Sequence, residues 1–211
     1  MEYRERMYRV VDLYKEKYNK RYPIIRFDEK SKQLLENSRM PIPLMPGSPL
    51  KYDNEYKRHG TCNIFAAVEP KAGRHFIEVT DRRSKADFAI FIRDMVEMEY
   101  KEATKVRIVL DNLNTHFEKS FYETFPHKQV TRLLKRIQFV YTPKHASWLN
   151  MAEIVINMME NECLNRNIKS RKLLENELQA WTYQNNAERR KIKWSFTREK
   201  ADKKLSKYYV S

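Results

Sequence analysis

The sequence predicts an α/β fold: a mixed five-stranded sheet flanked by helices. Three observations predict it. Apolar runs of strand length alternate with stretches of helical spacing along most of the chain. Three strand-like runs come first, and helix, strand, helix, strand and further helices follow. Two of the buried strand runs end in a carboxylate, Asp28 and Asp111. The 211 residues, 41% hydrophobic and 12% aromatic, suffice for one domain with a core, or one domain with an appendage.

The elements follow in order. Over residues 3–19, Met7, Val10, Val11, Tyr14 and Tyr18 recur at helical spacing, which predicts one amphipathic helix. "YPIIRFD" (22–28) predicts a short buried strand. The four prolines of 37–60 predict a loop. "TCNIFAAVEP" and "RHFIEVTD" read as strands joined by the turn "PKAG". Ser84 and Asp87 form a capping-box pair ahead of a helix whose apolar face is Phe88, Phe91, Ile92, Met95 and Val96. "KVRIVLDN" predicts a second buried strand. A helical stretch over 117–135 is broken near Pro126, and "IQFVYTP" predicts the last strand. Helices are expected over 147–164 and 170–187, the second with Leu174, Leu178 and Trp181 on one side, and the basic tail "TREKADKKLSKYY" also reads as helical. This order is that of an RNase H-like fold. The expected division is an N-terminal connector helix at 1–21 and the main domain at 22–211.

Lysine and arginine number 42 against 28 acidic residues, a net charge of +14. That balance points to a polyanionic partner, nucleic acid above all. Cys62 and Cys163 have no metal-ligand spacing and read as small core residues of a reduced compartment. No apolar run approaches the ~18 residues of a membrane span, and the start carries no signal-peptide pattern. The expected location is the bacterial cytoplasm, in association with the nucleoid.

The stretch "YTPKHASWLNMAEI" (141–154) holds one carboxylate, Glu153. The helix it opens is apolar around most of its circumference. Its polar residues Asn150, Glu153, Asn157 and Glu160 are spaced 3, 4 and 3 apart, so they form one stripe. A polar stripe on a buried helix must face water, another helix or a polar site. Ligand sites of open α/β sheets gather beyond the carboxyl ends of strands, so the stripe is expected to face Asp28 and Asp111, with Glu153 completing a triad. Three close carboxylates repel one another, and a hard divalent cation, Mg²⁺ or Mn²⁺, relieves this with oxygen ligands alone. Two such ions would serve in-line phosphoryl displacement. Taken one at a time, each carboxylate also reads as a turn cap or a solvated group.

"FDEKSKQLL", "LDNLNTH" and "TPKHASWLNMAEI" together resemble the DDE superfamily endonucleases, the transposases of bacterial insertion sequences, specifically the mariner-like "630" group. "EYKRHGTCNIFAAVEP", "VTDRRSKADFAIFIRDMV" and "WSFTREKADKKL" agree, so the resemblance runs from about residue 8 to the end. It implies an RNase H-like catalytic domain with Asp28, Asp111 and Glu153 as catalytic, metal-binding triad and two Mg²⁺ or Mn²⁺ ions. Asp28 would bridge both ions, with Asp111 on one and Glu153 on the other. It implies DNA cleavage by water, then strand transfer by the freed 3′-hydroxyl, with insertion at TA dinucleotides. The implied partners are transposon ends and target DNA, a second copy in a homodimer, and a separate N-terminal helix-turn-helix half, with no membrane. Candidate phosphate contacts are Lys144, His145, His116, Arg189, Arg190 and Lys191, with Lys193 alongside. Asn112 and Asn114 are candidates for orienting the Asp111 turn, and Trp148 for a core anchor.

Three departures qualify the resemblance. About 25 residues precede Asp28, too few for a helix-turn-helix, so the chain reads as a catalytic half: a truncated copy, a second reading frame or a split partner. Ala146 stands where the family usually has Gly. Glu36 and Asn37 follow "QLL" where a Gly is usual. A non-catalytic DNA-binding remnant, or a dominant-negative regulator of a full-length transposase, therefore stands as the second reading, and a structure-selective nuclease such as a junction resolvase as the third.

Overall fold

The structure, a computed structural model, describes residues 2–39, 45–48, 55–144, 146 and 149–205. His145 and Trp148 lie outside the described residues. So do residues 40–44 and 49–54 of the proline-rich loop and the end of the basic tail.

The strands are β1 (Ile24–Asn37), β2 (Tyr56–Glu69), β3 (Arg74–Thr80), β4 (Val106–Leu110) and β5 (Ile137–Tyr141), ordered β3-β2-β1-β4-β5 across one sheet. β1, β2 and β3 form an antiparallel meander, while β4 and β5 run parallel to β1. The helices are α1 (Glu2–Lys15), α2 (Lys85–Asp94), α3 (Glu118–Thr124), α4 (His127–Lys135), α5 (Ala152–Met159), α6 (Arg171–Glu188) and α7 (Arg198–Leu205). This is the predicted element order, with α7 as the helical tail.

Side chains alternate across a strand, and this alternation splits the core. Ile25 and Phe27 of β1, with Ile108 and Leu110 of β4, pack on α2, α3 and α4. Ile24 and Val109 face the other way, onto Val10, Val11 and Tyr14 of α1. Ile64, Ala66 and Val68 of β2 share that second face and pack on Val155, Ile156 and Met159 of α5 and Leu174, Leu178 and Trp181 of α6. The N-terminal helix is thus part of the core, its Met7, Val10 and Val11 fully buried. The capping box forms as expected: the Ser84 hydroxyl accepts from the Asp87 amide, and the Asp87 carboxylate accepts from the Ser84 amide.

Several boundaries move. β1 does not stop at Asp28 but continues nine residues to Asn37, so Asp28 lies inside the strand rather than at its end. β1 pairs with β4 only over Ile24–Arg26, then runs on as a two-stranded ribbon with β2. The proline-rich connection shrinks accordingly. α1 ends at Lys15, and α5 begins at Ala152, not at 147. α2 and α5 each close with a π-helical turn, at Met95–Glu99 and Glu160–Leu164.

Where the family usually has glycine, Glu36 and Asn37 show no positive φ. Ala146 is buried, and Glu36 and Asn37 are regular strand residues; among the described residues Arg189 is the one non-glycine residue with positive φ. Gly73 does need its freedom. Its φ is 65°, and a Cβ there would stand 2.3 Å from the Arg189 carbonyl carbon. Gly73→Ala is expected to destabilise the fold by about 2 kcal/mol or more, read as a lower urea midpoint. An unchanged midpoint would contradict this packing.

Candidate active site

Three elements bring the predicted carboxylates to one face. Asp28 pairs with Ala66, whose side chain lies in the α5–α6 core, so Asp28 projects on that same side. The β1–β4 ladder pairs Arg26 with Val109. Continued by two residues, that register sets Asp28 level with Asp111, the first residue past β4. The start of α5 is tied to this spot by Asn150, buried, whose Nδ2 donates to the Phe27 carbonyl at 2.7 Å. Asn150 Oδ1 accepts from the Ala152 amide at 3.2 Å, one turn before Glu153 is presented. Asn150 thus does what a helix cap does and also fixes where the helix begins.

The electrostatics record the convergence. Burial pushes the Asp28 carboxyl up to about 7, and the charges of Glu29, Asp111 and Glu153 add to the rise against one bond from the Glu29 amide. Burial also acts on Asp111, but there the hydrogen bond and charge of His116, with the Leu113 amide, outweigh it. The Asp111 carboxyl lies below its ordinary range. Its side chain remains 45% exposed. Among the described residues no group of three or more His, Cys, Asp or Glu side chains is already arranged to hold a metal ion.

His116 occupies a different place from the one expected. It is 2% exposed, so it offers no surface to a phosphate. Its Nδ1 lies 2.6 Å from Asp111 Oδ1, and its Nε2 lies 3.1 Å from Glu29 Oε2, close enough for an ion pair though not aligned as a hydrogen bond. Burial opposes the ring's charge, but the two carboxylates prevail and raise its pKa to about 9. The imidazolium therefore bridges Glu29, on the Phe27 side of the sheet, to Asp111. Phe27 and Phe88 wall it in, with ring centroids at 5.2 and 4.8 Å. Tyr141 Oη donates to the His116 carbonyl at 2.9 Å.

The other candidates separate. Asn112 ties the end of β4 to β5, its Nδ2 donating to the Thr142 carbonyl at 2.6 Å, while its Oδ1 accepts from Arg6. Asn114 is exposed. Glu160, the far member of the polar stripe, pairs with Lys30 at 2.8 Å and with Lys32 at 3.4 Å. Lys144 is exposed two residues past Thr142, in a surface hollow it shares with Arg6 of α1. Arg189, Arg190 and Lys191 are not there. Ile192 donates its amide to the Pro70 carbonyl, and Pro70 lies four residues along the chain from the Ala66 that pairs with Asp28, roughly 13 Å away toward the opposite end of the sheet. Arg190 is also paired with Glu162 at 2.7 Å.

Residues 23–175 match the family model of the DDE superfamily endonucleases. The chain belongs to this family. The matched span carries Asp28, Asp111 and Glu153 alike. This DDE endonuclease is also similar to solved structures of a mariner protein. The Mos1 mariner paired-end complex with Mn aligns at 15% identity and a TM-score of 0.59, over 90% of this chain and 57% of that one. The Mos1 strand transfer complex aligns at 13% and 0.59, over 85% and 52%. The Mos1 paired-end complex with Mg aligns at 14% and 0.57, over 98% and 62%. At such identities the likeness establishes the RNase H-like fold. The chain spans less than two thirds of the length of these structures. No curated protein matches it. No helix among the described residues of this DDE endonuclease is long and apolar enough to cross a membrane.

Proposed function

We propose that this chain is the catalytic domain of a DNA transposase of the mariner-like insertion-sequence group, with Asp28, Asp111 and Glu153 as its metal-binding catalytic triad. One observation carries the reading: three carboxylates from a strand, a strand end and a helix converge on one sheet face of a DDE endonuclease, and their mutual charge helps hold Asp28 partly protonated near neutrality. Oxygen donors that repel one another fit a hard divalent cation, and the matched Mos1 complexes hold Mn and Mg. Two such ions, when bound, would stabilise the attacking and leaving oxygens of an in-line displacement at phosphorus. Asp28 would contribute the central, partly buried carboxylate and give up its proton as it does so. Asp111 would present its oxygens from a turn that His116 and the Leu113 amide hold in place. Glu153 would enter from α5, whose start Asn150 fixes to β1. Residues 1–21 would connect this domain to an end-recognising module on the same or another chain.

The net charge of +14 predicts affinity for the DNA backbone that falls steeply with added salt. Lys144 is an exposed candidate three residues past the end of β5; Arg189, Arg190 and Lys191 would meet only DNA that passes the far end of the sheet.

The test is Mg²⁺- or Mn²⁺-dependent nicking of supercoiled plasmid by the wild type and by Glu153→Gln. The wild type is expected to nick, and the variant to lose on the order of 10³-fold in rate, the scale of several kcal/mol of lost metal stabilisation. Equal nicking by both would sink the assignment of Glu153. Salt-sensitive DNA binding with no nicking by either would favour the non-catalytic remnant.

A further inference from the structure

A second site lies on the same sheet face, two residues back along β1. Arg26 projects beside Asp28 but toward the opposite end of the strand, into a cavity of about 330 Å³. Arg26 is 2% exposed, and its guanidinium stacks on the Tyr14 ring with 3.4 Å from its carbon to the ring centroid. Its Nε has no hydrogen-bond partner, its Nη1 reaches only the Ile25 carbonyl at 3.4 Å, and no carboxylate pairs with it among the described residues. An unpaired buried cation is costly. Burial lowers its pKa to about 10, so it keeps its charge at neutrality. Two further buried polar atoms of the same cavity lack partners: Trp194 Nε1 and Glu69 Oε1. Burial raises the Glu69 carboxyl above its ordinary range. The mouth carries Tyr18 and Tyr22 and a rim of Lys71 and Lys193.

We infer that this cavity binds a nucleoside phosphomonoester, with the phosphate against Arg26 and the base among the tyrosines and Trp194. A buried fork of donors without an anion suits phosphate. Aromatic walls suit a base, and the volume lies in the range of small-ligand sites. A bare phosphate would leave most of this aromatic lining uncovered. The ligand is either a free nucleotide or the 5′-phosphorylated end of a DNA strand. The inference does not rest on the transposase reading, because none of the triad lines the cavity.

The experiment follows thermal unfolding of the whole chain, without divalent cations, in dAMP, deoxyadenosine, and short strands with a 5′-phosphate or a 5′-hydroxyl. A saturable rise in Tm is expected with dAMP or with the phosphorylated strand over its hydroxyl counterpart, and none with deoxyadenosine. A rise with dAMP alone identifies a free nucleotide; a rise tied to the phosphorylated end identifies a strand. Arg26→Met is expected to unfold no earlier than the wild type without ligand and to weaken binding by roughly 10-fold or more. Should Arg26→Met fail to fold, the Lys71→Ala/Lys193→Ala double variant takes its place, with several-fold weaker dAMP binding expected. No rise in the wild type with either phosphate probe overturns the site. So does an undiminished response in Arg26→Met or, where that variant is unfolded, in the rim variant.

Discussion

Asp111→Asn is expected to fold and to lose metal-dependent DNA cleavage. The substitution keeps the shape of the side chain and leaves an oxygen to accept from the Leu113 amide and from His116 Nδ1, both now served by Oδ1. The side chain is nearly half exposed, so the loss of its charge is partly screened. The fold should therefore give up no more than about 1–2 kcal/mol, the scale of a weakened hydrogen bond. Chemistry is affected far more. An amide is a poor ligand for a hard cation beside two remaining carboxylates, and cleavage should fall on the order of 10³-fold or more. Plasmid nicking and a urea midpoint on the same preparation separate the two effects. Cleavage retained by folded Asp111→Asn would remove this residue from the triad.

His116→Ala is expected to show the reverse emphasis: a large loss of stability. The ring is the counter-ion of Glu29, whose side chain is 7% exposed, with Arg83 at 4.0 Å its other ion-pair contact. Removing one partner of a buried pair typically costs 3–5 kcal/mol. The ring's two carboxylate partners, Asp111 first and Glu29 second, predict a pH profile. The folded His116 pKa is raised from 6.5 to about 9, so its stabilisation is fully present below pH 6.5 and is lost as pH rises through 9. That contribution is on the order of 3 kcal/mol. Asp28 acts in the same direction by another route. Its pKa is raised from 3.8 to about 7, so the cost of charging it is absent below pH 4 and complete above pH 7. Metal-free protein should therefore weaken steadily from pH 4 to 9, and His116→Ala should lack the alkaline part. Urea midpoints at pH 5, 7 and 9 measure this; parallel profiles for the two proteins would contradict the bridge.

Much of this arrangement is legible in the sequence because burial writes itself into periodicity. The Asn150–Glu153–Asn157–Glu160 stripe marks the face of α5 that carries Glu153, and the apolar runs before Asp28 and Asp111 mark the central strands. The end of β1 is not legible. Past Asp28 the chain reads "EKSKQ", which looks like a solvated loop, because β1 loses its β4 neighbour there and pairs with β2 alone. A half-covered ribbon tolerates polar residues that a central strand does not. Glu29 escapes notice for a related reason. Its burial depends on His116, 87 positions away, and no local pattern announces such a pair. The one available signal is alternation: with Phe27 on the core face, Glu29 must share it. Arg26 is hidden likewise, since one basic residue in an apolar run suggests an edge, not an unpaired charge beneath a cavity. The π-helical ends of α2 and α5 follow no residue pattern that we recognise.

The register of β1 against β2 runs unbroken from Arg26 to Gln33, and the irregularity falls after it, between Gln33 and Leu35. Residues gained or lost in the connection beyond the irregularity can be absorbed there. Within the unbroken stretch, a single deletion ahead of Asp28 would turn Asp28 to the opposite side of the sheet and Glu29 into its place. The two sides of that break should therefore differ in what they allow over time: free variation in loop length on one, and a fixed count of residues on the other.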